Sequence, residues 1–319
     1  MGKRDINGVY IGKDGYLLER YERSDFDRER IEDNAKRLAD CINALTQMYG
    51  REHVSCIMIP SKTQAMADKL PEFASTYDEN KILKKVQKKL NDKEQLLDAS
   101  EILQEHKDEY IYYRTDHHWT SLGAYYTYVA WAKQQGYTPK SLTDFDRKII
   151  FDDFLGTTYN KVHLVVPKDE VELFRFSKDE PLTVREDGEE ETASSLYFPK
   201  EGEKGFNRYN VFLSKNTFKI EIDTQADTGK TLILVKDSFA NCFVPFLLEE
   251  YDKIIMLDFR YGKTKLGEIL NEYEDVTDIL VMYNTVKFAK DTNLRCLTVD
   301  GKKPDSMEEF DAEEFFSDF

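Results

Sequence analysis

Four short polar clusters in this sequence carry the residue types that acyl transfer needs: Asp116-His117-His118, Asp237-Ser238, Asp258 with Arg260, and Tyr283-Asn284. Each follows an apolar run that reads as a strand, and in open parallel sheets ligands sit beyond the carboxyl ends of strands. Ser238, where Leu232-Ile233-Leu234-Val235 gives way to a predicted helix, would present its hydroxyl to a cleft as a nucleophile. The amides that follow it would then point at a developing oxyanion. The segment lacks the glycines of a G-x-S-x-G elbow, and a serine at a helix start is equally at home as an N-cap.

Asp116 and His118 are two residues apart, and in an extended segment such residues point to the same side. The carboxylate can therefore orient the imidazole that acts as base, fixing its tautomer. His117, of opposite parity, is expected to face elsewhere, and Trp119 to pack beneath the loop. Two rival readings of the cluster are a hydrogen-bonded structural histidine and a metal site built from Asp116, His117 and His118. Sequence neighbours seldom share one ion without further spaced ligands, and no H-x-x-x-H accompanies them, so no metal is expected. Arg260, Asn284 and Tyr283 are candidates to hold the oxyanion or a substrate group, although an arginine beside Asp258 is also what a rim ion pair looks like. Lys236 and Asp237 flank the nucleophile and would orient its turn.

The elements that must position these residues follow from periodicity. Asn7-Gly8, Val9–Ile11, Gly12–Gly15 and Tyr16–Leu18 read as a glycine-turn hairpin. From Asp25 to Met48, Ile31, Ala35, Leu38, Ile42 and Leu45 recur at helical steps, and Gly50 ends the helix. Val54 to Pro60 suits a buried parallel strand. Residues 78 to 106 read as charged helix, Glu109 to Arg114 as a tyrosine-rich strand, and Ser121 to Gln135 as another helix. Short runs between about 145 and 228 suggest a β-rich insertion or subdomain. A βα rhythm then resumes: strand Thr231–Val235, helix Phe239–Tyr251, strand Ile254–Leu257, helix Leu266–Tyr273 and strand Ile279–Met282. Strands alternating with helices imply an α/β fold on a mostly parallel sheet.

A chain of 319 residues with 40% hydrophobic content can bury a full core. Its net charge of −16 repels phosphate backbones and anionic lipid, so nucleic acid is not an expected partner. The four cysteines, Cys41, Cys56, Cys242 and Cys296, are far apart without C-x-x-C spacing, so no disulfide framework is expected, and Cys41 and Cys56, on a helical apolar face and in a strand run, read as buried free thiols. No run of about 18 apolar residues is present. The first four residues run almost directly into a strand pair, which reads as a chain from which a targeting segment was removed. The acidic stretch 305–319 reads as a solvated, disordered tail.

The run Tyr113-Arg114-Thr115-Asp116-His117-His118-Trp119-Thr120, followed by Gly123-Ala124, closely resembles the signature of the bacterial DHHW family. Phe154-Leu155-Gly156-Thr157-Thr158-Tyr159, Lys236-Asp237-Ser238-Phe239-Ala240-Asn241 with Pro245, and Asp258-Phe259-Arg260-Tyr261 resemble that family's later blocks in the same order. The family in turn is similar to the SGNH-like O-acetyltransferases of alginate acetylation. In those, a Thr-Asp-x-His-Trp block supplies Asp and His and a later serine is the nucleophile. The resemblance covers roughly Asn7 to Leu294. It implies an SGNH-hydrolase-like three-layer domain over 1–304, with a permuted triad order of Asp116, His118, Ser238 and the insertion at about 145–228. It further implies a signal or anchor ahead of this sequence, action outside the cytoplasm, and a membrane-bound acyltransferase as acyl supplier. Phe212-Leu213-Ser214-Lys215-Asn216 departs from the glycine pair expected of the family there.

The leading expectation is an O-acetyltransferase acting on a cell-surface or secreted polysaccharide through an acyl-Ser238 intermediate, with no diffusible cofactor. An esterase or glycan deacetylase would use the same triad and pass the acyl group to water, and no motif separates the two. A non-catalytic glycan-binding scaffold, with the β-rich segment as its contact surface, is the alternative from another class.

Overall fold

The computed structural model describes residues 5–176, 181–193, 195–204, 207–213 and 216–299. The first four residues, Ser214-Lys215 of the departing loop and the acidic segment 305–319 lie outside it. In chain order the strands are β1 Asp5–Ile6, β2 Val9–Ile11, β3 Leu17–Glu19, β4 Val54–Ile59, β5 Leu96–Asp98, β6 Phe145–Phe154 and β7 Asp169–Phe176. They continue with β8 Leu182–Glu186, β9 Glu189–Ala193, β10 Lys219–Asp223, β11 Thr231–Lys236, β12 Lys253–Leu257 and β13 Asp278–Asn284. The α-helices are α1 Arg28–Tyr49, α2 Lys62–Ala65, α3 Asn80–Gln87, α4 Ala99–Glu105, α5 Ser121–Gln134, α6 Pro199–Glu203, α7 Leu266–Leu270 and α8 Thr285–Lys290.

Eight strands form one sheet in the order β5-β4-β13-β11-β12-β10-β8-β9, parallel from β5 to β12 and antiparallel beyond. β4, β11 and β13 are buried along their whole length because layers cover both faces. Alternate side chains go to opposite cores. Ile57, Ile59, Leu232, Leu234, Met256 and Met282 meet the Tyr125, Tyr128 and Trp131 face of α5. Val54, Cys56, Ile233, Val235, Ile255 and Val281 meet the Ile31, Leu38, Ile42 and Leu45 stripe of α1, joined by α3, α7 and α8. The Asp27 carboxylate caps α1 by accepting from the N–H groups of Glu29 and Arg30, and Gly50, at φ 94°, ends it.

Three expectations are corrected here. The segment 145–228 is not a separate subdomain: β8, β9 and β10 extend the main sheet, and only β6 and β7 form a hairpin of their own. The pairing of β10 with β12 is what joins them, burying Ile220 and Ile222. The stretch 78–106 is not continuous helix, because the edge strand β5 separates α3 from α4. Phe239–Tyr251 is two short 3-10 turns, Ser238–Cys242 and Val244–Leu247, rather than a helix. Pro245, near the start of the second, has no N–H to offer, and its bulky neighbours are taken up by the core instead.

All four cysteines are buried free thiols. Among the described residues no helix is long and apolar enough to cross a membrane. From β4 the chain steps outward to β5, and from β11 it steps the other way to β12. That leaves a cleft at the carboxyl ends of β4, β13 and β11.

Candidate active site

Ser238 stands immediately beyond β11. Asp237 caps its turn: Oδ1 accepts from Phe239 N at 2.9 Å, and Oδ2 accepts from Asn284 N at 2.8 Å, which ties the ends of β11 and β13 together. The Phe239 N–H is therefore engaged within the turn. The expected helix N-terminus, with several free N–H groups, is absent here.

The segment from Glu109 to Arg114 is not a strand. Tyr112 makes a single bridge to Trp119, Tyr113 N donates to His118 O at 3.2 Å and Thr120 N to Ile111 O at 3.0 Å, so residues 113–118 form a loop closed at its base. Two buried charges hold that loop from opposite poles. Lys62 Nζ, just beyond β4, donates to the carbonyls of Tyr113 at 3.1 Å, Arg114 at 3.0 Å and Asp116 at 2.5 Å. Asp169, fully buried at the start of β7, accepts from Arg114 N at 2.7 Å, Thr115 N at 2.7 Å, and the hydroxyls of Thr115 and Tyr110 at 2.5 Å each. A cation on the C=O groups and an anion on the N–H groups replace the ladder that a strand would have supplied. Burial pushes the Lys62 amine down to about 8, against the pull of Asp169 and Asp116.

Within this loop Asp116 accepts four hydrogen bonds. Oδ1 takes His118 N at 3.0 Å and His118 Nδ1 at 2.6 Å; Oδ2 takes Thr157 N and Thr157 Oγ1, both at 2.8 Å. Burial would push the carboxyl up, but the two imidazoles and these donors outweigh it and hold Asp116 well below the usual carboxylate range. Four donors exhaust an ionised carboxylate, so His118 Nδ1 carries a proton and Nε2 is bare. His118 Nε2 lies 2.8 Å from Ser238 Oγ and accepts a hydrogen bond from its hydroxyl. This tautomer is assigned from the hydrogen-bond network. Asp116 and His118 thus meet, but through a tight turn with a side-chain to main-chain bond and not through the parity of an extended segment.

Three further residues fix this line, Tyr209, Trp119 and Gly156, and the sequence reading assigned Tyr209 and Gly156 no role. Tyr209, from the 3-10 turn Arg208–Val211, stacks on His118 with ring centroids 3.8 Å apart and planes 3° from parallel, and its hydroxyl donates to Ser238 O at 3.0 Å. Trp119 is buried as expected, and its Nε1 donates to Phe239 O at 3.1 Å, tying the loop to the Ser238 turn. Gly156 is needed because a Cβ there would stand 2.3 Å from Asp116 Cβ. Gly156 and Thr157 lie in a block already visible as a motif, which was the available signal. Tyr209 and Asp169 carried none, being distant in sequence and of ordinary type.

The side chains of the remaining candidates are engaged with other partners. Arg260 forms a two-pronged pair with Asp258, Nε to Oδ1 at 2.8 Å and Nη2 to Oδ2 at 2.5 Å, so its guanidinium is committed to a carboxylate that Lys236 also approaches at 3.8 Å. Tyr283 points to the other core, its ring against Phe288. Asn284 does reach the cleft. However, its amide hydrogens go to the carbonyls of Ile59 and Pro60, both at 3.2 Å, and its oxygen caps α8 at Lys287 N, so it does not supply the oxyanion donor expected of it. His117 does not face away from the site: its ring lies 3.9 Å from that of His118. Asp116, His117 and His118 gather their ligating atoms within 4.8 Å. Both nitrogens of His118 and all four acceptor positions of Asp116 are already engaged, so this donor set does not fit a metal without dismantling the line to Ser238.

The family model described as DHHW protein matches residues 19–257. Among solved structures, a DHHW family protein from Eubacterium siraeum is 23% identical, with TM-score 0.74, over 93% of this chain and 98% of that one. Bacillus cereus PatB1 with a sulfonyl adduct is 20% identical, with TM-score 0.71, over 94% and 100%. The O-acetyltransferase domain of AlgJ from Pseudomonas putida is 12% identical, with TM-score 0.50, over 90% and 94%. At these identities the likeness is one of fold: mixed α/β with a central, mostly parallel sheet. No curated protein matches the chain.

Proposed function

This chain belongs to the DHHW protein family, and from that premise we propose that it is an O-acetyltransferase of a cell-surface or secreted polysaccharide, working through an acyl-Ser238 intermediate. The observation that carries the reading is the unbroken line from a saturated Asp116 carboxylate through His118 to Ser238 Oγ. As Ser238 Oγ attacks the acyl carbonyl, His118 Nε2 takes its proton, and Asp116 stabilises the resulting imidazolium. The Ser238 N–H faces the oxyanion, and the imidazolium returns the proton to the donor's leaving group. A sugar hydroxyl then attacks the acyl-enzyme, gives its proton to His118 Nε2, and Ser238 is released with that proton as the sugar ester forms. Fold likeness to an O-acetyltransferase domain supports the acyl-transfer class, and a sulfonyl adduct on PatB1 accords with a nucleophile in this fold. On this reading the enzyme acts outside the cytoplasm and takes acyl groups from a membrane-bound acyltransferase, as the resemblance implies.

Intact-mass spectrometry of wild type and Ser238→Ala after p-nitrophenyl acetate tests this, with nitrophenol release and acetyl transfer to an oligosaccharide followed in parallel. A Ser238-dependent adduct with transfer faster than hydrolysis is expected, and loss of one member should be about as damaging as loss of all three. An adduct released only to water would make the protein an esterase with the same machinery. No adduct and equal background release from both proteins would leave a non-catalytic glycan-binding role.

A further inference from the structure

The second histidine of the pair is built for a different task from the first. Its Nδ1 lies 2.6 Å from Thr157 Oγ1, and that hydroxyl lies 2.8 Å from Asp116 Oδ2. Because the ionised carboxylate has no proton, the Thr157 hydroxyl must donate to it. The same oxygen can then only accept from His117, which puts a proton on Nδ1 and leaves Nε2 bare. Burial and the neighbouring His118 push the His117 ring down to about 3, so this tautomer stays neutral across physiological pH. Among the described residues Nε2 has no hydrogen-bond partner, the side chain is 20% exposed, and it lines the cleft with Lys62, Thr63, Phe239, Asn284 and Lys287. A bare, rigid acceptor facing a cleft calls for a donor from the ligand.

We propose that His117 Nε2 accepts a hydrogen bond from the sugar hydroxyl adjacent to the one being acylated, so that the acceptor is a vicinal diol. This rests on the acetyltransferase reading and deepens it. The centroids of the two imidazole rings lie 3.9 Å apart and their planes are tilted by 36°, so the rings are close enough for both to reach groups on one sugar ring. One hydroxyl gives its hydrogen to His118 Nε2 and becomes the nucleophile. Its neighbour gives a hydrogen to His117 Nε2 and holds the ring in place. The shared carboxylate couples the two: Asp116 Oδ1 orients His118 directly, and Oδ2 orients His117 through Thr157.

The test compares acetyl transfer to a methyl glycoside bearing a vicinal diol with transfer to its deoxy analogue lacking the adjacent hydroxyl, for wild type and His117→Asn. Asparagine keeps a donor near the Nδ1 position for Thr157 while deleting the outward acceptor. Wild type should prefer the diol by about tenfold, the worth of one good hydrogen bond. The variant should lose that preference, read as the ratio of transfer to the diol over transfer to the deoxy sugar, so that any general change in Ser238 acylation by p-nitrophenyl acetate cancels. Retention of the preference by His117→Asn overturns the inference and leaves the function standing. Failure of wild type to acylate Ser238 overturns the function itself, and the inference with it. As a check independent of folding in the variant, the Nε2 resonance of 15N-labelled His117 in Ser238→Ala should move on adding the diol and not the deoxy sugar; equal responses to both count against the role.

Discussion

Replacing Gly156 with alanine places a methyl carbon 2.3 Å from Asp116 Cβ, 2.5 Å from Asp116 Oδ2 and 2.8 Å from Asp116 Cα. Ordinary carbon contacts begin near 3.5 Å, so the two segments must part by roughly 1 Å. Neither side can yield alone. Gly156 N donates to Thr115 Oγ1 at 3.0 Å, Tyr159 N to Thr115 O at 2.9 Å, and Lys62 holds the Asp116 carbonyl. Separation therefore stretches the Thr157 bonds to Asp116 and swings the carboxylate away from His118 Nδ1. Misplacement of about 1 Å costs a positioned reaction on the order of 100-fold, close to 2.7 kcal/mol of barrier. Overpacking also costs about 1–3 kcal/mol of stability, a drop of a few degrees in Tm for a chain of this size. The assay is the initial rate of Ser238 acylation by p-nitrophenyl acetate, with a thermal melt on the same preparation. A folded protein with slowed acylation and a modestly lowered Tm is expected. Acylation within about twofold of wild type with an unchanged melt would refute the steric argument.

Three other perturbations probe the supports. Lys62→Met removes the donor to three loop carbonyls, and with buried acceptors costing about 1–3 kcal/mol each, the urea midpoint at pH 7 should fall sharply along with acylation; an unchanged midpoint would mean that the clamp is idle. Glu79 is 1% exposed and bonded to the N–H and hydroxyl of Ser61, and burial lifts its carboxyl from 4.5 to about 7 despite those bonds. The fold therefore binds a proton that the unfolded chain releases, so this stabilisation is full below pH 4.5 and is lost as pH rises through about 7. Glu79→Gln mimics the protonated acid, its oxygen accepting from the Ser61 N–H and its NH2 donating to the Ser61 hydroxyl, so its Tm should match wild type near pH 4.5 and exceed it at pH 8; the same difference at both pH values would exclude this titration. Tyr283→Phe should leave acylation unaltered, and a loss of about tenfold or more would return Tyr283 to the site.

Much of the candidate site was readable because its residues sit in short windows. Asp116 and His118 are two residues apart, Ser238 follows an apolar run, and the α1 stripe and the strands β4, β11, β12 and β13 follow from periodicity and from burial on both faces. Reading a strand into Glu109–Arg114 failed because tyrosines favour strands locally, while the partners that shape the segment, Lys62 and Asp169, are some fifty residues away on either side. The helix expected after Ser238 failed because Pro245 and a run of large core residues favour short turns against the α5 layer. Arg260, Asn284 and Tyr283 have suitable types at suitable strand ends. Their side chains nevertheless found nearer partners in Asp258, in the Ile59 and Pro60 carbonyls, and in the opposite core. The stacking of Tyr209 on His118, the clamp on the loop and the division of labour between His117 and His118 depend on contacts across 30 to 120 residues of chain. Sequence alone thus named the groups that are proposed to react. Tertiary structure decided which nitrogen is bare and where it points, because a proton's position is set by every donor and acceptor that folding brings around it.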